Sequence, residues 1–231
     1  GGTTTDVALL KDGRPSLDPA GARVGNFRTM VEAVALRTTG LGGDSQVHFL
    51  SEGLKGGLHL GPKRLVPISL LAHQEPHIHD VLDEQLRTSA PGEHDGKFVR
   101  LISNPVEHSL TSRDMKVLSR IERNSKPLKS VIQTRIEIKS LERLVSRGIV
   151  QVSGVTPSDA SHVLKNMTAW DGEAAEKAIT LFGRRRKGYG DLLTETAEDL
   201  SRMIITQLHR QTALFLLESA FHEEDKFDQP A

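Results

Sequence analysis

The sequence predicts an α+β protein, and three observations carry the prediction. The first hundred residues read as short strands broken by glycine and proline. Beyond about residue 110, apolar side chains recur at three- and four-residue steps, the period of helices. Near the start, Asp12 and Gly13 stand between apolar runs as a hairpin turn. The expected division is a strand-rich unit over 1–110 and a mainly helical region over 111–231.

Taken in order, "TDVALL" and "RPSL" form the arms of that hairpin, with Val7 and Leu9 on one face. "RTMVEAVALRTTGLGGDSQVHFL" reads as a short helix, a glycine loop and a strand. "LHLGPKRLVPISL" alternates weakly and is broken by proline, as in an edge strand or extended segment. From Pro76 onward, Ile78, Val81, Leu82 and Leu86 fall at helical spacing, and 88–97 reads as an exposed loop. Met115, Leu118 and Ile121 form one stripe. Leu141, Leu144 and Val145 form another, stopped by Gly148 ahead of the strand "IVQVS". Thr156, Pro157 and Asp159 have the residue types of a helix start, and Asp171 caps the next helix. The last helix carries Leu193, Ala197, Leu200, Ile204, Leu208 and Phe215 on one stripe. Ile205, Leu216 and Leu217 widen it, which predicts packing on more than one side.

With 231 residues the chain can bury a substantial core. Charged residues at 26% and hydrophobic ones at 37% suit a globular rather than a disordered protein. Lys+Arg and Asp+Glu both number 30, so no net field draws the chain to nucleic acid or membrane. The absence of cysteine excludes disulfides and thiolate metal ligands and fits a cytoplasmic protein. No run approaches the roughly 20 apolar residues that cross a bilayer.

The chemistry is concentrated in the opening stretch, "GGTTTDVALLKDGRP". A turn rich in Gly and Thr points backbone N–H groups and hydroxyls at a phosphate, and glycine lets the backbone approach closely. A carboxylate at Asp6 then holds Mg²⁺ through water or orients an attacking water. An ordinary turn before a strand uses the same residue types.

The stretch resembles the phosphate-binding hairpin of actin-like ATPases, Asp-x-Gly-Gly-Thr-x-Thr-Asp, and more narrowly that of the hydantoinase/5-oxoprolinase family, hydantoinase A type. "GLGGDS" (40–45), "GPKRLVPISLLA" (61–72) and "GVTPSDASHVL…WDGEAAEKA" (154–178) extend the likeness, in order, to about residue 180. The resemblance implies a partial actin-like (ribonuclease-H-like) half, the second of two that hold ATP between them. The leading Asp of the pattern would precede Gly1, so the opening is expected to lie in the middle of a larger enzyme whose first half stands before it. The implied activity is ATP-dependent opening of a cyclic amide such as hydantoin or 5-oxoproline, with ATP and Mg²⁺ as cofactors and a hydantoinase B-type subunit as partner. ATP-dependent ketone carboxylation shares the architecture. By the same resemblance Gly1, Gly2, Thr3, Thr4 and Thr5 line the phosphates, and Asp6 serves the metal or the water. Gly42, Gly43 and Ser45 belong to a second glycine loop, in which Asp44 stands where many members have glycine. A carboxylate there repels phosphate unless a cation intervenes; substrate contact, metal contact and a plain turn all remain open for it.

Three rival readings stand beside this one. His73, His77, His79 and Asp80 are of zinc-ligand type, but Pro76 breaks the regular spacing, and solvated histidines at a helix start are the default. Residues 111–150 order three helices and then "LVSRGIVQVS", the pattern of a winged helix, with ten Lys/Arg against four Asp/Glu. With "RRRK" at 184–187 this marks a candidate nucleic-acid surface. A solvated helical face, or a face docking the rest of a larger protein, accounts for the same charges. The last reading is a purely structural or interaction module.

Overall fold

The structure is a computed structural model, and it describes residues 2–18, 23–24, 27–28, 33–51, 57–88, 91–104 and 110–227. Its front is an antiparallel ribbon of short strands: β1 (Thr5–Ala8), β2 (Leu10–Lys11), β3 (Arg14–Pro15), β4 (Leu17–Asp18), β5 (Arg23–Val24), β6 (Phe27–Arg28), β7 (Ala33–Val34) and β8 (Leu36–Thr39). Asp12 and Gly13 turn β2 into β3 with φ of 50° and 76°, the two positive values that a tight hairpin turn requires. The expected hairpin is therefore present only at its tip. β1 pairs with β8, and β4 pairs with β7. The short helix expected ahead of the glycine loop is replaced by β7 and β8 over the described residues of that stretch. Leu36, Thr38 and Thr39 continue the alternation of a ribbon edge, and pairing with β1 overrides the weak helical pattern. Along β1, Thr5 and Val7 are half-buried while Asp6 and Ala8 face out.

Next come β9 (Ser45–Leu50) and β10 (Gly57–Arg64), an antiparallel pair, followed by α1 (Ile68–Gln74) and α2 (Ile78–Arg87). β11 (Phe98–Leu101), α3 (Ser112–Leu118), β12 (Lys126–Pro127), α4 (Leu128–Val131), α5 (Glu137–Ser146) and β13 (Val150–Ser153) make a compact unit around a three-stranded sheet of order β12-β11-β13. The chain closes with α6 (Pro157–Val163), α7 (Gly172–Gly183) and α8 (Ala197–Phe227). The molecule is thus mixed helix and sheet.

Two hydrophobic cores form, and they do not follow a division at residue 110. One joins β9 and β10 to α1, α2, α6, α7 and the start of α8, through Leu60, Ile68, Leu82, Phe98, Ile179 and Ile204. The other, around Val99, Val117, Leu128, Leu144 and Val150, belongs to the β11–β13 unit. Beside it Arg143 grips Asp114 through Nη2 at 2.6 Å, tying α5 to the capped start of α3. Arg120 likewise holds both carboxylate oxygens of Glu137, at 3.0 and 3.1 Å.

Thr156 and Asp159 complete a capping box at α6, and Asp171 caps α7 as expected. The Asp159 carboxylate is fully buried. It accepts from the N–H and hydroxyl of Ser69 and from the N–H and hydroxyl of Thr156, fastening α6 to α1. Thr196 caps α8, and Leu193 lies in the loop before it, buried against the same core. Leu200 and Ile204 are fully buried, whereas Leu214, Leu216, Leu217 and Phe221 are exposed. The far half of α8 is therefore not covered on its second side among the described residues. Gln211 brackets Leu60 of β10, accepting from its N–H at 3.0 Å and donating to its carbonyl at 3.1 Å.

Candidate functional site

Residues 2–6 line an open cavity of about 530 Å³ at the root of the ribbon. Gly1 lies outside the described residues. Strand alternation puts the Asp6 carboxylate on the exposed face of β1, where Thr38 of β8 donates to it at 2.6 Å and Thr4 at 3.4 Å. Thr5 faces the other way, and its hydroxyl donates to the Leu41 carbonyl at 2.8 Å. Of the three threonines proposed for phosphate, Thr5 thus fastens the hairpin to the second glycine loop. Thr3 and Thr4 border the cavity without that tie.

The second loop folds against the first. The Asp44 N–H donates to the Gly2 carbonyl at 2.7 Å, and the Asp44 carbonyl accepts from Leu65 N–H at 2.9 Å. Ser45 is buried, and its hydroxyl accepts the Gly42 N–H at 2.9 Å, closing the loop on itself. The Gly43 carbonyl accepts from Ser158 N–H in the first turn of α6, at 2.9 Å. A Cβ on Gly43 would stand 2.8 Å from the Ser158 hydroxyl, so packing on α6 already accounts for glycine at that position. Gly42, Gly43 and Ser45 shape the floor under the hairpin, and Asp44 is the side chain of that loop that reaches it. A Cβ on Gly2 would meet the Asp44 carboxylate at 3.3 Å.

Two side chains that sequence reasoning passed over complete the site. Thr38 fixes Asp6. Arg64, at the end of β10, reaches Asp44 Oδ2 with Nε at 3.2 Å and Nη2 at 3.1 Å. The antiparallel register of β9 and β10 sets Arg64 opposite Ser45 and therefore beside Asp44. Nothing local in "GPKR" signals that partner; it follows from strand pairing alone.

The implied cofactors fit this donor set in part. Mg²⁺ is commonly held by one or two carboxylates together with phosphate oxygens and water, and Asp6 is one such carboxylate. Among the described residues no group of three or more His, Cys, Asp or Glu could hold a metal ion. His73 and His77 are exposed and His79 is half-buried, and His77 and His79 are each held by a separate partner. His77 Nε2 lies 3.1 Å from the Ser125 carbonyl, and His79 Nε2 lies 2.8 Å from Asp171. Burial opposes ionisation of Asp171, but the Ala174 N–H and His79 hold its carboxyl below the ordinary carboxylate range. His79 with Asp171, and Lys177 with Asp83 and Glu173, form a polar network between α2 and the start of α7.

Among the described residues of the β11–β13 unit, the four acidic side chains are all engaged. Asp114 pairs with Arg143, Glu122 with Lys126, Glu137 with Arg120, and Glu142 with Lys63 of β10. Among the described residues no helix is long and apolar enough to cross a membrane. No family model matches the chain, and neither a curated protein nor a solved structure matches it.

Proposed function

We propose that this chain supplies one wall of the nucleotide site of an ATP-dependent enzyme that opens cyclic amides, of the hydantoinase/5-oxoprolinase type. One observation carries the reading: the two glycine-bearing stretches that resemble that family meet at the bond from Asp44 N–H to Gly2 O, at 2.7 Å, beside an open cavity with the Asp6 carboxylate on its wall. An unstrained amide is a poor electrophile, and ATP supplies the phosphoryl group that makes its oxygen a leaving group. The chain's own residues hold and neutralise. Backbone N–H groups at Gly2, Thr3 and Thr4 face phosphate oxygens, and Asp6, oriented by Thr38, holds Mg²⁺ or directs water. On the same reading the front is part of an actin-like half. The β11–β13 unit is winged-helix-like, with β11 supplying from ahead of the first helix the strand that lies in the middle of the sheet.

The test is phosphate release from ATP by the full-length protein, with and without hydantoin, N-methylhydantoin and 5-oxoproline. Stimulation by one ring is the expected result and names the substrate. Stimulation only by a ketone with bicarbonate would move the protein to the carboxylases of the same architecture. No stimulation by either class would overturn the reading.

A further inference from the structure

We propose that Arg64 is the cation that meets phosphate oxygens at the cavity of residues 2–6, and that Asp44 is the residue that positions it. The inference rests on the nucleotide reading above and adds a residue to it. A carboxylate beside a phosphate-binding turn is anomalous by itself, and here it is rigid. Asp44 is anchored through its N–H to Gly2 and through its carbonyl to Leu65. Its carboxylate oxygen Oδ2 comes within 3.3 Å of where a Gly2 Cβ would be. Left alone, that oxygen would repel an anion at Gly2.

Arg64 removes the conflict. A guanidinium has five N–H donors. Nε of Arg64 donates one to Asp44 Oδ2 at 3.2 Å, with Nη2 3.1 Å from the same oxygen, and the rest of the fork remains available. The Arg64 side chain is 64% exposed while that of Asp44 is 15% exposed, so the acid is held against Gly2 and the cation beside it is open to solvent. The neighbouring cation, Lys63, is turned to Glu142 and does not compete for Asp44. Exposed ion pairs contribute little to stability, so the pair is a poor explanation of the fold and a good one of the charge balance at Gly2. A planar fork already held along one edge loses little freedom when its other edge takes two phosphate oxygens.

The test is calorimetric binding of Mg-ATP, of inorganic tripolyphosphate and of adenosine to the full-length protein and to three variants. Arg64→Gln is expected to weaken ATP and tripolyphosphate by about tenfold, the scale of one charge-assisted hydrogen bond, and to leave adenosine unchanged. Adding Asp44→Asn to Arg64→Gln should recover part of that loss, because the uncompensated carboxylate is then gone. Arg64→Lys should fall between wild type and Arg64→Gln. Circular dichroism melting of each variant, expected to be unchanged, separates lost binding from lost fold. Wild-type affinity in a folded Arg64→Gln variant would overturn this inference and leave the nucleotide reading standing. Failure of the unmodified protein to bind either ATP or tripolyphosphate would overturn both.

Discussion

Gly43 and Ser158 approach so closely that no side chain fits between them: a Cβ on the glycine would stand 2.8 Å from the serine hydroxyl. The Ser158 N–H donates to the Gly43 carbonyl across the same contact. Gly43→Ala is therefore expected to destabilise the protein by about 1–3 kcal/mol, through strain at the floor of the hairpin. Pairing it with Ser158→Ala should return part of the loss, since the clashing oxygen is removed. Urea titrations of the two single variants and the double variant measure both terms, and strictly additive losses would show that the contact is not the cause.

Asp6 is exposed, and its carboxylate is held by the hydroxyls of Thr38 and Thr4. Asp6→Asn keeps the shape and removes the charge. On the proposed function it should lower ATP turnover by about a hundredfold or more while leaving the melting temperature unchanged, the signature of a group that acts in the transition state. A variant as active as wild type would remove Asp6 from the mechanism.

Lys97 is half-buried, with its Cγ 3.6 Å from where a Gly154 Cβ would be. Burial, and then the charge of Arg185, bring its ammonium down from 10.5 to about 8. The unfolded chain keeps that proton up to 10.5, so the folded state binds fewer protons between 8 and 10.5 and stability rises with pH across that window. Lys97→Met should stabilise the protein at neutral pH by on the order of 2 kcal/mol. The gain should fade as pH rises through the same window. Denaturation curves at several pH values decide it, and a gain independent of pH would point to packing instead of charge.

At Asp114 folding favours the charged form instead of opposing it, and stability again rises with pH, now in the acid range. Burial works against its ionisation, but hydrogen bonds from Arg143 and Thr111 prevail and hold the carboxyl well below the ordinary carboxylate range. That contribution is present above the unfolded value of 3.8 and is lost as pH falls below it. Asp114→Ala, which also removes half of the capping box on α3, should cost about 2–4 kcal/mol at neutral pH. The gap from wild type should narrow toward about pH 2 in a series of thermal melts.

The parts legible in the sequence are those whose cause is local. Asp12 and Gly13 turn a chain wherever positive φ is needed, and Thr156, Pro157 and Asp159 begin a helix with bonds that span three residues. The stripe of Ile78, Val81, Leu82 and Leu86 likewise contains its own answer. What stayed hidden depends on distant pairing. "TDVALL" has the pattern of a strand but no mark of which strand it joins, and β8 wins over the neighbouring arm. The candidate site shows the same split. Gly2, Asp6 and Asp44 stand out by residue type, while Thr38 and Arg64 enter only because antiparallel register carries them there. The exposed far half of α8 misled for a related reason: periodicity reports which side chains share a face and says nothing of whether another element covers it.

The bracket that Gln211 places on Leu60 has a consequence for how the molecule behaves in company. Its side-chain amide makes the two bonds that a facing residue of a third strand would make, one accepted and one donated. A helix thereby impersonates a peptide group and closes the outer border of β10 at its middle. An open border is a template on which a second chain can add itself. Replacing Gln211 with leucine would keep the helix and its bulk but leave the template bare, and light scattering on concentrated protein should then rise with time. Scattering that stayed flat would show that the border of β10 is closed to a second copy without that amide.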